Sequence, residues 1–160
     1  SYNNESVTKK TFCWSVNKNT YNNVSDKKIG LLGWSFKKDT NDTRESAAIY
    51  VTNHLLDEQA NIHVYDPKVS KVRIQTDLNY LNTRSETENE KGVTVTKSPY
   101  EALKDAHAIA IMTEWDEFKA YDWKTIYNQM KKPAFIFDGR NLLDKSKMEK
   151  IGFEYYSIGQ

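Results

Sequence analysis

One cysteine, three prolines, three histidines and six glycines are all that 160 residues contain of the residue types that most often announce a mechanism. The lone Cys13 excludes an internal disulfide and leads to the expectation of an intracellular, cytoplasmic setting. It lies between Phe12 and Trp14, with no glycine or basic neighbour to activate it, and reads as a small hydrophobe. The histidines are widely separated, and none has a partner at ligand spacing, so no metal site is expected. No paired acid and base or nucleophile and base can be found either. The formal net charge is only +1. No broad field attracts nucleic acid or an anionic membrane, and any anion site must be local. No apolar run approaches the ~20 residues that span a bilayer, and the N-terminus lacks the apolar core of a signal peptide. Walker and G-x-G-x-x-G patterns are missing, which argues against a dinucleotide site in this chain.

What is present is one organising stretch, Lys28 to Ser46. Ile29 to Leu32 is a short apolar run closing on Gly33, the pattern of a buried parallel strand. Lys37, Lys38, Asp39, Asn41 and Asp42 follow. Asp42-Thr-Arg-Glu45 has the spacing of a capping box and places the start of a helix over 43–59, with Arg44 in its first turn. In open α/β sheets ligands sit beyond the carboxyl ends of strands. Two lysines and an arginine at such an end suit a phosphate-bearing anion. Lys37 and Lys38 are adjacent, so they point different ways, and one can be plain surface. An arginine in a first helical turn opposes the helix dipole, a placement that a ligand would justify.

The rest of the chain alternates. Residues 1–24 are weakly patterned and read as an arm or the end of a long helix; the domain proper is 25–160. Strands are expected at Lys27–Ser35, Asn61–Asp66, Val93–Thr96, Ala106–Thr113, Ala134–Arg140 and Phe153–Gly159. The strand over 106–113 should be central, and the last should lie at an edge. Between the second and third strands, a short helix near Asp77–Leu81 and then a mobile, solvated loop through Ser85–Lys91 are expected. Helices are expected from Pro99 and from Trp123, the latter capped by Asp122, with a turn or two over Lys145–Lys150. Trp115, Phe118, Tyr121 and Trp123 read as packing, since no basic stripe is interleaved with them. The fold class is a three-layer, Rossmann-like α/β domain, a mostly parallel sheet of about six strands with helices on both faces. Arg140, at another strand's carboxyl end, can converge with Lys37 on one ligand.

The string Gly33-Trp-Ser-Phe-Lys-Lys-Asp-Thr-Asn-Asp-Thr-Arg-Glu-Ser46 resembles the C-terminal, UDP-binding domain of the UDP-glucose/GDP-mannose dehydrogenase family. His63-Val-Tyr-Asp-Pro-Lys68, Thr113-Glu-Trp-Asp116 and Lys132-Pro-Ala-Phe-Ile-Phe-Asp-Gly-Arg140 agree in order and spacing. The resemblance implies that Phe36, Lys37 and Arg140 contact a UDP-sugar, UDP-glucose by the motif details. It implies that Arg44 reaches NAD held by an N-terminal domain across a cleft. It also implies oxidation of UDP-glucose to UDP-glucuronate with two NAD, and a homo-oligomer in the full-length protein. The family's catalytic cysteine and NAD domain belong to segments outside this chain. No catalytic residue is therefore assigned, and the chain alone is expected to be inactive. The alternatives are a stand-alone nucleotide-binding or assembly module, and the equivalent domain of a GDP-mannose or UDP-N-acetyl sugar dehydrogenase.

Overall fold

The computed structural model describes residues 23–157. Cys13 and the expectations for the N-terminal arm lie outside the described residues. Six strands form a single sheet: β1 (Lys28–Leu32), β2 (Asn61–Tyr65), β3 (Val93–Val95), β4 (Ala108–Ile111), β5 (Phe135–Asp138) and β6 (Glu154–Ser157). Their spatial order is β3-β2-β1-β4-β5-β6, and every pairing is parallel. The chain builds outward from β1 to β3, returns to lay β4 against β1, and builds outward again. The switch point is therefore between β1 and β4, where open sheets of this kind bind ligands.

Helices cover both faces because the central strands bury both of theirs. β1, β4 and β5 are apolar nearly throughout, the pattern that double coverage demands. On one face, α1 (Ala47–Asp57), α2 (Lys71–Tyr80) and α3 (Glu86–Gly92) join the β1–β2 and β2–β3 connections. Here Val51, Leu55, Ile74 and Leu78 pack on Ile29, Leu31, Ile62 and Val64. The opposite face carries α4 (Pro99–Leu103), a 3-10 turn (Asp116–Ala120), α5 (Trp123–Gln129) and α6 (Lys145–Ile151). Leu103, Phe118, Trp123, Ile126 and Met148 pack there on Leu32, Ile109, Ile111 and Ile136. α4 lies so close to β1 that a Cβ on Gly30 would fall 2.4 Å from Leu103 Cδ2. Trp115, Phe118 and Trp123 are buried packing groups, as their spacing suggests.

Two expectations fail. Residues 43–59 do not start a helix at Asp42. The Asp42 carboxylate turns back onto the Arg44 backbone N–H at 3.0 Å and its guanidinium, while Glu45 takes a positive φ of 59°. Helix α1 begins only at Ala47, with Ser46 as its N-cap accepting from the Ala48 N–H. Arg44 thus precedes the helix, and its supposed conflict with the helix dipole does not arise.

The stretch 69–92 is not a short helix and a loop but two helices. Ser85 and Glu88 make a reciprocal capping box that starts α3, and buried Asn89 donates to the Asn79 side chain at 2.9 Å. The glutamates of 86–90 sit on the outer side of a helix whose N-terminal turn favours them. Among the described residues no helix is long and apolar enough to cross a membrane.

Candidate functional site

At the switch point three strand ends are tied together by carboxylates. Gly33, with φ of +96°, turns the chain out of β1. The next two backbone N–H groups, of Trp34 and Ser35, both donate to Asp66 Oδ2, at 2.7 and 3.1 Å. The Trp115 indole N–H reaches the same oxygen at 3.3 Å. The other oxygen of Asp66 accepts from Lys68 and Val69 N–H at 2.8 and 3.0 Å. From the β4 end, the Thr113 hydroxyl donates to the Ser35 carbonyl at 2.7 Å. A Cβ on Gly33 would stand 2.4 Å from Thr113 Cβ. The crevice between β1 and β4 is thus filled by the protein's own atoms.

Above this plug, the loop 35–42 forms an outer rim. Ser35 Oγ donates to the Lys37 carbonyl at 2.9 Å, and the Phe36 N–H closes on the Asp42 carbonyl at 2.9 Å. Phe36 is exposed, and the Lys37 ammonium lies 5.4 Å from its ring centroid, within cation–π range. Arg140, two residues beyond β5, leans over to this loop. Its Nη2 donates to the Phe36 carbonyl at 2.9 Å and its Nε to Glu114 Oε2 at 2.5 Å. The other Glu114 oxygen accepts the Lys38 N–H at 3.1 Å. Burial is the largest influence on Glu114 and pushes its carboxyl up. The hydrogen bonds from Arg140 and Lys38 outweigh it and leave the group below its ordinary range.

The structure therefore brings Phe36, Lys37 and Arg140 to one rim. Lys38 separates from them: its ammonium pairs with Asp116 at 3.3 Å. Arg44 stands at the far foot of the same loop, its side chain 88% exposed and paired with Asp42 at 2.6 Å. That pairing, led by the side-chain hydrogen bond from Arg44, draws the Asp42 carboxyl down to about 2. Arg44 also borders a groove of about 480 Å³ between the start of α1 and α2, lined by Ile49, Tyr50, Arg73, Asp77 and Tyr80. Among the described residues no group of three or more His, Cys, Asp or Glu is placed to hold a metal ion.

The sequence alone assigns no role to Asp66 or Glu114. Both lie within matched motifs, and both are carboxylates just past the carboxyl end of a strand. A carboxylate there needs donors to be tolerated, which was the available signal.

Residues 30–145 match the family described as "UDP-glucose/GDP-mannose dehydrogenase family, UDP binding domain". The chain is 49% identical over 142 residues to UDP-glucose 6-dehydrogenase of Mus musculus, covering 88% of this chain and 29% of that protein. It is 49% identical over 162 residues to UDP-glucose 6-dehydrogenase 2 of Arabidopsis thaliana, covering 95% of this chain and 34% of that protein. The chain thus spans about a third or less of the length of these relatives. Among solved structures, the NDP-N-acetyl-D-galactosaminuronic acid dehydrogenase of Methanosarcina mazei Go1 superposes with a TM-score of 0.70 at 21% identity, over 99% of this chain and 28% of that one. That likeness speaks for the fold.

Proposed function

The chain belongs to the UDP-glucose/GDP-mannose dehydrogenase family, in which it is the UDP-binding domain, and from that premise we propose that it forms the UDP-glucose-binding wall of a UDP-glucose 6-dehydrogenase. The observation that carries the reading is the convergence of Arg140 and the Phe36–Lys37 loop, joined by the Nη2 bond to the Phe36 carbonyl. One bond from Nη2 and one from Nε orient the guanidinium and leave its remaining N–H groups for an acceptor. Lys37 supplies a second, mobile cation beside it. A diphosphate spanning the two gains charge-assisted hydrogen bonds from both sides. The exposed Phe36 ring offers an apolar face to the sugar or base. Held this way, a hexose is oriented toward groups on the remainder of the enzyme, which is a positioning contribution.

A nicotinamide dinucleotide is the cofactor that dehydrogenases of this family imply. The residues of this chain do not fit it as a resident group. G-x-G-x-x-G is missing, and the backbone donors at the switch point are already engaged by Asp66. Arg44, exposed on the outer surface, is suited to meet a cofactor held by another part of the enzyme. The chain is accordingly silent in catalysis by itself.

The test is kinetic, in the enzyme containing this domain. Arg140→Ala and Lys37→Ala are each expected to raise the KM for UDP-glucose about tenfold or more, the loss of one charge-assisted contact. Wild-type kinetics for both variants would sink the assignment. Tight UDP binding by the chain alone, with no dehydrogenase segment in its reading frame, would favour the stand-alone nucleotide module. A preference for a UDP-N-acetyl sugar or GDP-mannose over UDP-glucose would move the substrate within the family.

A further inference from the structure

We propose that Asp66 is the built-in occupant of this sheet's phosphate-binding nest, and that it determines ligand choice by keeping nucleotide phosphates out of the crevice. The strand order is that of a dinucleotide-binding sheet. In such sheets successive backbone N–H groups after β1 receive the pyrophosphate, reinforced by the N-terminus of the following helix. Here the turn at Gly33 still presents two successive N–H groups, but a carboxylate from the end of β2 takes both.

Three features set this apart from an ordinary buried carboxylate. First, Asp66 is only 8% exposed. Among the described residues none of the ion pairs includes it, so neutral donors balance its charge: the N–H groups of Trp34, Ser35, Lys68, Val69 and the Trp115 indole, with the Ser35 hydroxyl at 3.4 Å. That is the environment a phosphate oxygen occupies in a nest. Second, the reinforcing helix end has been moved away. α1 starts at Ala47, fourteen positions after Gly33 (47 − 33), and its cap is occupied by Ser46. Third, Trp115 and Thr113 close in from the β4 side, the Trp115 indole N–H on the same Asp66 oxygen and the Thr113 hydroxyl on the Ser35 carbonyl.

An aspartate at this place has a consequence for the whole enzyme. A dinucleotide cannot settle in this domain's crevice, so its UDP-sugar wall does not compete for the cofactor held elsewhere. Phosphates are confined to the outer rim. The geometry of Asp66 holds whatever the rim binds, so its test is independent of Lys37 and Arg140.

The experiment replaces the resident anion by a free one, in the 160-residue chain. Asp66→Ala leaves the Trp34 and Ser35 N–H groups without an acceptor. In chloride the variant is expected to melt well below the wild type. Formate and inorganic phosphate, at matched ionic strength, are each expected to raise its Tm by several degrees and to leave the wild-type Tm unchanged. The backbone amide resonances of Trp34 and Ser35 should shift saturably with either anion, in the variant only. Equal responses in wild type and variant, or no response at those two amides, would overturn the proposal. A response to formate alone would also overturn it, because the nest would then be too small for a phosphate and Asp66 would exclude nothing. Should Asp66→Ala not fold in chloride, refolding in phosphate becomes the readout. Recovery of native tryptophan fluorescence supports the proposal, and failure in both anions refutes it.

Discussion

Arg140 Nη2 donates to the carbonyl of Phe36 at 2.9 Å, across 104 residues of sequence. Parallel strands β5 and β1 are not neighbours, so this bond crosses over the end of β4, and Glu114 at that end completes it. One carboxylate oxygen holds Arg140 and the other holds the Lys38 N–H. Glu114 thus sets the guanidinium plane. Glu114→Ala is expected to raise the KM for UDP-glucose in the full enzyme by a smaller factor than Arg140→Ala, with kcat nearly unchanged. Glu114→Gln keeps an acceptor for the Lys38 N–H and should recover part of the loss. If Glu114→Ala lowers kcat while KM stays put, the carboxylate does something other than hold Arg140.

Lys37 and Lys38 are adjacent yet unequal. Lys37 lies against the Phe36 ring, whereas Lys38 pairs with Asp116 on the surface. An exposed pair of that kind contributes about 0–1 kcal/mol. Lys38→Ala should therefore leave the KM for UDP-glucose within about twofold of wild type and shift stability by less than about 1 kcal/mol. Steady-state kinetics and chemical denaturation of the single variants check both statements. A Lys38→Ala effect as large as that of Lys37→Ala would mean that both ammonium groups reach the ligand.

Gly33 is the hinge on which the site turns. Its φ of +96° disfavours any residue with a Cβ, and that Cβ would stand 2.4 Å from Thr113. Thr113 cannot simply yield, because its hydroxyl is bonded to the Ser35 carbonyl. Gly33→Ala combines backbone strain with overpacking, and a loss of about 2–5 kcal/mol is expected. Urea denaturation measures it. A variant within about 0.5 kcal/mol of wild type, the range of a neutral surface change, would show that the turn relaxes at little cost.

Apolar runs at 29–32, 108–111 and 135–138 made the buried parallel strands readable, since double coverage leaves no polar face to obscure the period. Pro99 and Asp122 marked the starts of α4 and α5 for reasons local to those residues. Arg140 and Lys37 were readable as cations at strand ends, and the topology then placed them together. Asp42 and Ser85 mislead for related reasons. A carboxylate and a glutamate stand at capping distance at 42–45, yet Asp42 turns to Arg44 instead. The equivalent pair at Ser85–Glu88 is masked in the sequence, because the surrounding residues are polar and short of core formers. Its buried residue is Asn89, whose partner Asn79 lies on α2, and a period of apolar residues cannot reveal such a contact. Asp66 and Glu114 escaped for a third reason. Part of each role lies with groups brought from other strands, the Trp34 and Ser35 N–H groups for Asp66 and the Arg140 guanidinium with the Lys38 N–H for Glu114, and strand order is needed to see them.

The opposite, amino-terminal end of the sheet should give the domain a pH dependence. His107 Nδ1 accepts the Lys28 backbone N–H at 3.1 Å, so the neutral ring is the bonded form. Burial first, and then the charge of Lys27, hold His107 below the ordinary 6.5. His63, in the middle of β2 opposite Gly30, is lowered in the same way, by burial and then by Lys28. For a group lowered on folding, the unfolded chain takes up the proton first. Stability is therefore fully present above about 6.5 and is lost as pH falls toward the lower folded values. The melting temperature should drop between pH 7.5 and about 5, before Asp42 begins to be protonated near 2. Substituting both histidines, His63→Gln with His107→Gln, should flatten the profile in that window even if it lowers stability overall. A wild-type Tm that is constant from pH 7.5 to about 5 would remove the histidines as the cause. A sloping profile that survives the double substitution would assign it to other groups.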